Sequence, residues 1–220
     1  MHKSNTKIHI GNIIRDAVQS DFKNWSVNPM KTASLPQTVN RLFTLLSDRQ
    51  IDYVLVGGIA LFTYVEGRNT EDIDLIIAVS SLAQMPEIQI ASQDMYLARG
   101  QFEELKIEIF LTSNPLFDKV RRKYTTIQHF VEQDIPTANV EGLLLLKLYA
   151  LPSLYRQGSF SQVGIYENDI ATLLFDYQPD LKTLYVELAG HLNERDINEA
   201  QTIVTEIQQR IDRFRKSAAS

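Results

Sequence analysis

The stretch YVLVGGIALFTYVEGRNTEDIDLIIAV, Tyr53 to Val79, constrains this chain more than any other. Its first run, Tyr53 to Val56, is short and rich in β-branched residues, and Gly57-Gly58 ends it. The following IALFTYV reads as a helix, so the pattern predicts strand, tight turn, helix. A further strand is expected over Asp72 to Val79. Successive side chains of a strand point to opposite faces, so Asp72 and Asp74 share one face while Ile73 and Leu75 turn to the core on the other. Aspartate is poorly suited to strands, and two like charges two residues apart repel. A bound cation makes such a pair favourable, and hard oxygen ligands suit magnesium or manganese. The polar face of an exposed edge strand is the competing explanation.

A third acid extends the pattern. In KIEIF, Glu108 is the one carboxylate of an alternating run, with Ile107 and Ile109 opposite to it and inward. If that strand lies beside the Asp72 strand, three carboxylates converge. Gly57-Gly58 stands at the strand-to-helix turn, where glycine lets backbone approach a ligand and a helix N-terminus offers unpaired amides to phosphate. A tight turn that needs glycine for its dihedral angles accounts for the same pair. Taken together, a phosphate cradle some fifteen residues before a metal-binding Asp-x-Asp is equipment for nucleotide chemistry.

The rest of the chain supplies a frame for these residues. Helices are expected over Gly11 to Trp25, ended by Pro29, and from Pro36 to about Arg49 with Val39, Leu42, Phe43 and Leu46 inward. EIQIAS and MYLARGQFEELKIEIFL have period-two character, read as two or three strands broken near Ser92 to Asp94 and at Gly100. From Asn114 onward the pattern becomes helical: Leu116 to Tyr124, Val140 to Tyr155, Tyr166 to Phe175, Leu181 to His191 and Asn193 to Lys216. In the last of these Ile197, Ala200, Val204, Ile207, Ile211 and Phe214 form an apolar seam. It is under three heptads long, which favours a core-facing helix over a dimerising coiled coil.

At 220 residues and 44% hydrophobic composition the chain can bury one good core, or one core plus a helical annex. A net charge of −5 gives no general attraction for polyanions, so any nucleic-acid contact needs a local basic patch. Lys119, Arg121, Arg122 and Lys123 form the one dense cluster, read either as a solvated helix face or as a contact to RNA phosphates. With no cysteine there are no disulfides, thiolate zinc sites or cysteine nucleophiles. His2, His9, His129 and His191 lack ligand spacing. MHKSNTKIHIGNII holds no apolar core of signal length, and LLLLKLYAL is too short to span a bilayer, so a cytoplasmic protein with no membrane contact is expected.

The combination of Gly57-Gly58, Asp72-Ile73-Asp74 and Glu108 resembles the nucleotidyltransferase superfamily of DNA polymerase β-like fold. GGIALFTYVEGRNTEDIDL looks most like its AbiEii-type toxin branch, with Arg68 and Thr70 matching an Arg-x-Thr lead-in to the Asp-x-Asp. EGLLLLKLYAL and YENDIATLL are similar to later segments of that branch and align Lys147 and Asp169 with it. The resemblance spans about residues 36 to 176. It implies an α+β fold: an N-terminal helical extension over 1–34, a mixed-sheet nucleotidyltransferase domain over 35–135, and a helical bundle over 136–220. It further implies transfer of an NMP from an NTP to a hydroxyl of RNA or protein, with Mg2+ or Mn2+ held by Asp72, Asp74 and Glu108. Gly57, Gly58, Arg68, Thr70 and Lys147 would serve the nucleotide, and Asp169 would partner Lys147 or face the acceptor. A cognate antitoxin would be a partner. Two alternatives remain: an antibiotic-like small molecule as acceptor, and a nucleotide-binding module of the same fold without turnover.

Lys147 has its own logic. Leu143, Leu144, Ala150 and Leu151 surround it at helical spacing, so its ammonium needs either a partner or a route to water. Four departures from the family pattern stand out: Gly58 where serine is usual, Glu108 where aspartate is common, no evident helix between Asp74 and Glu108, and no basic residues over Tyr166 to Asn168 before Asp169.

Overall fold

The computed structural model describes residues 8–20, 34–65 and 70–218. Two units divide at Asn139 and Val140. The first holds α1 (Ile10–Ser20), α2 (Leu35–Asp48), β1 (Tyr53–Val56), α3 (Gly57–Phe62), β2 (Asp72–Ile77), α4 (Val79–Leu82), β3 (Ile88–Gln93), β4 (Leu97–Phe102), β5 (Leu105–Leu111), α5 (Pro115–Lys123), β6 (Thr125–His129) and β7 (Asp134–Ala138). The second is helical: α6 (Val140–Arg156), α7 (Phe160–Tyr177), α8 (Leu181–Leu188) and α9 (Glu194–Ala218). This is the α+β plan expected, a mixed sheet with flanking helices followed by helices alone.

The sheet has seven strands in the order β3-β4-β5-β2-β1-β7-β6. β2 runs parallel to β5 and antiparallel to β1, while β1 runs parallel to β7. All four residues of β1 are buried, which explains an apolar run with no alternation at this central position. Alternation returns in β2 and β5. Ile73, Leu75, Ile107 and Ile109 are buried on one face, where Phe43 of α2 meets Tyr53 with ring centroids 6.0 Å apart. The α2 residues Val39, Leu42, Phe43 and Leu46 are fully buried, each such side chain contributing roughly 1.5–3 kcal/mol. On the opposite face Phe110 packs edge-on against Phe117 of α5 at 5.3 Å. That cover does not reach the other half of this face: Arg99, Gln101 and Lys106 are exposed there. At the outer side, the pairing of β3 with β4 shifts register between Ile90 and Ser92.

Several expectations need correction. The strand from Asp72 stops at Ile77, because Ala78 turns the chain into α4. That four-residue helix is the sole helix between Asp74 and Glu108. The hairpin of β6 and β7 falls where no strand was expected. The helix expected from Tyr166 starts at Phe160, after Gly158 adopts φ +68°, and the one expected to reach His191 ends at Leu188. The expected extension of the first helix to Trp25, with its Pro29 stop, lies outside the described residues, as does His2.

In the second unit Leu143, Leu144, Leu145, Leu148 and Leu151 of α6 are buried. Of the α9 seam, Ala200, Val204 and Ile207 face the core, while Phe214 is 65% exposed beside Phe175. Among the described residues no helix is long and apolar enough to cross a membrane.

Candidate active site

The register of the central strands brings the acids of the sequence pattern into one row. Asp74 lies opposite Val56, the last residue of β1, and opposite Glu108 of β5. Glu108 in turn lies opposite Arg99 of β4. Paired residues of neighbouring strands share a face, so Asp74, Glu108 and Arg99 form a continuous line across three strands. Asp72 stands one pleat away, opposite Lys106. The shared face of Asp72, Asp74 and Glu108 is the half that α5 leaves uncovered.

Gly57 and Gly58 have distinct geometric duties. Gly57 adopts φ +65°, and a methyl group added there would coincide with the Asp74 carboxylate. Glycine is therefore required twice, once for the left-handed backbone and once for the close approach of Asp74. The Gly58 amide donates to Asp74 Oδ2 at 3.3 Å, a long bond that orients the acid. This amide is directed at Asp74, whereas the sequence pattern had pointed it at a phosphate. A Cβ on Gly58 would lie 2.6 Å from both Thr70 Cβ and Thr70 Oγ1. The space a serine side chain would need at this position is filled by Thr70. Arg68 lies outside the described residues.

Burial pushes the Asp72 carboxyl above its ordinary value. Lys106 opposes this, while the charges of Glu108 and Glu71 add to it. A cation at this face would relieve the like-charge burden, and carboxylate oxygens are the donors that magnesium or manganese prefer. The donor chemistry of Asp72 and Asp74 thus fits a hard divalent ion. The third donor is differently placed: Glu108 Oε1 accepts from Arg99 Nε at 2.6 Å, and the guanidinium is held further above its ordinary pKa by that bond. Among the described residues no group of three or more His, Asp or Glu is arranged to hold one metal ion. Arg99 carried no weight in the sequence pattern, yet it is the residue that now contacts the third acid.

Lys147 and Asp169 belong to the second unit. Lys147 Nζ donates to Asp169 Oδ2 at 2.8 Å, with the two side chains 8% and 2% exposed. The ammonium also lies 4.4 Å from the ring centroid of Tyr166. This answers the question posed by a lysine on an apolar stripe. Its charge is satisfied inside the helical unit by a carboxylate on α7 and an aromatic face. The basic cluster of α5 is also engaged: Arg121 pairs with Asp52 and Asp118, and Arg122 pairs with Asp118.

No protein-family model and no curated protein matches the sequence. Among solved structures, the chain is similar to an antigenic nucleotidyltransferase-like protein from Paracoccidioides brasiliensis, at 21% identity over 76% of this chain and 91% of that one, with a TM-score of 0.47. It is also similar to ANT(2'')-Ia in complex with adenylyl-2''-tobramycin, at 8% identity over 79% of this chain and 98% of that one, with a TM-score of 0.46. The solution structure of antibiotic-resistance factor ANT(2'')-Ia gives 9% identity, 83% and 92% coverage, and a TM-score of 0.44. At these identities and TM-scores, the functional reading rests on the residues of this chain.

Proposed function

We propose that this protein is a metal-dependent nucleotidyltransferase that moves an NMP from an NTP to a hydroxyl group. The observation that carries the reading is the placement of Asp74. It sits in register with Glu108 and one pleat from Asp72, against the backbone of a glycine pair that opens a helix. A purely structural strand gains nothing from two partly buried aspartates, one of them packed on a positive-φ glycine.

Asp72 and Asp74 would hold a divalent cation, which when bound supplies charge neutralisation at the transferring phosphoryl group. The chain's own residues supply the rest. Gly57 and Gly58 fix where the Asp74 carboxylate stands, and Thr70 packs on Gly58 to hold that turn. The acceptor reaches the face across the exposed side chains of β4 and β5. In the transfer, the acceptor oxygen bonds to the α-phosphorus as the bond to pyrophosphate breaks, and the hydroxyl proton passes to the acidic face.

A second reading, a nucleotide-binding module without turnover, draws on the engagement of Glu108 by Arg99. One experiment separates the two. Each α-labelled NTP is incubated with Mg2+, total RNA and total protein, beside Asp72→Ala and Asp74→Ala controls. Label that appears only with intact aspartates supports transfer and identifies the acceptor class. Nucleotide binding without label in any lane supports the module or a small-molecule acceptor absent from the assay. If expression of the protein arrests growth, as the toxin branch implies, either substitution should relieve the arrest.

A further inference from the structure

The Arg99–Glu108 pair is the part of the acidic face to which the transfer reading assigns no task. The two residues lie directly opposite each other on antiparallel strands, and Glu108 lies directly opposite Asp74 on its other side. A carboxylate in the middle of such a row has two possible partners. It can turn to the guanidinium on β4 or to a cation shared with β2. It is turned to Arg99, at 2.6 Å through Nε.

We propose that Arg99 is a positioning residue that withholds Glu108 from the cation and yields it when the cation binds. Arg99 thereby sets the cation concentration at which the site assembles. The proposal rests on the nucleotidyltransferase reading of Asp72 and Asp74, and adds a role for a residue which that reading leaves aside.

The exposure of the pair decides whether such an exchange is feasible. The Arg99 side chain is 58% exposed and that of Glu108 is 30% exposed. A solvated ion pair of this kind is weak and readily remade with water. A divalent ion already gripped by two aspartates therefore outcompetes a single guanidinium for a third carboxylate. The cost of the exchange appears as a weakening of cation affinity by about two- to fivefold, the range that exposed pairs span. The Arg99 guanidinium, on the solvent side of the sheet, needs no cavity to move into.

The test measures Mn2+ binding to the full-length protein without nucleotide, from the electron paramagnetic resonance signal of the free ion. Wild type is compared with Arg99→Gln, Arg99→Met, Glu108→Gln and the double variant Arg99→Gln/Glu108→Gln, with Asp72→Ala/Asp74→Ala as the control that removes the primary donors. The expected result is Mn2+ binding about two- to fivefold tighter in both Arg99 variants, with the gain absent when Glu108 is already glutamine. A gain that persists in the Glu108→Gln background reports only the general loss of a positive charge, and overturns the proposal. Unchanged or weaker binding in both Arg99 variants, while the double aspartate variant loses the ion, overturns the role of Arg99 and leaves the cation site standing. Absence of Mn2+ binding in wild type and Arg99 variants alike overturns both. Tighter binding in the Arg99 variants, together with no label transferred in the α-labelled NTP experiment, keeps the role of Arg99 and removes the transfer reading.

Discussion

Two ion pairs of opposite character sit in the two units. Lys147–Asp169 is closed off, with both side chains under a tenth exposed and an aromatic ring beside the ammonium. Arg99–Glu108 lies open on a sheet face, in line with Asp74. Both looked like candidate chemistry from residue type alone, since a lysine on an apolar stripe and an acid on an alternating strand are each anomalous. Their surroundings give them different uses. A buried pair is held because breaking it strands a charge in a low-dielectric interior, whereas an exposed pair can be remade with water or an ion at little cost.

The contrast breaks most visibly on the buried side. Lys147→Ala should destabilise the protein by about 3–5 kcal/mol, because the buried Asp169 carboxylate loses the ammonium that balances its charge. The joint replacement Lys147→Met/Asp169→Leu should be close to neutral or stabilising by up to about 4 kcal/mol. Urea denaturation measures both, and a single variant with wild-type stability would mean that Lys147 is free to act elsewhere.

Gly57→Ala is expected to have the next largest effect on stability, at least about 1–2 kcal/mol for the left-handed backbone alone. Moving Asp74 by even an ångström should lower nucleotidyl transfer by about a hundredfold. Retention of transfer in this variant would separate the glycine from the chemistry.

Asp72→Asn tests the strain of the acidic face. The Asp72 carboxyl is raised above 3.8, so the folded state holds its proton more tightly than the unfolded chain does. Its ionisation therefore lowers stability at neutral pH, and that burden lifts as pH falls from the raised value toward 3.8. The asparagine variant should be more stable than wild type at pH 7, by under about 1 kcal/mol given the partial exposure of the site. The gain should shrink on acidification, and a gain that does not change with pH would point to packing instead.

Arg99→Gln should change stability least, within about 0.5 kcal/mol, as is usual for an exposed position. A loss of several kcal/mol on thermal unfolding would make this pair as structural as the buried one and erase the contrast.

What the sequence disclosed depended on how strongly each element was patterned. The strand, glycine pair and helix from Tyr53, the shared face of Asp72 and Asp74, and the burial of Ile73, Leu75, Ile107 and Ile109 follow from period-two alternation and glycine punctuation. The β6–β7 hairpin escaped for local reasons. TTIQH is polar and mostly exposed, and Pro136 interrupts the DIPTA of β7, so neither resembles a strand until they pair. The Arg99–Glu108 contact was hidden by its turn. Phe102 and Leu105 bracket Glu103 and Glu104, with Glu103 at φ +54°, and this two-residue turn lacks the Asn-Gly signature that marks most tight hairpins. Had the turn been placed there, Arg99 and Glu108 would have been paired by counting outward from it. Lys147 was singled out by its place on an apolar stripe and Asp169 by the resemblance alone, and a lysine's need for a partner does not reveal whether that partner is a substrate or a neighbouring helix.

The register shift between Ile90 and Ser92 has a consequence for life at high concentration. A flank of regular β-structure offers an unbroken row of amides and carbonyls on which another chain can grow. In β3 that row is out of step at its middle, so an incoming strand matched to one half is mismatched to the other. The irregularity gives up a little cohesion within the sheet, and in return a crowded protein is kept from stacking upon itself.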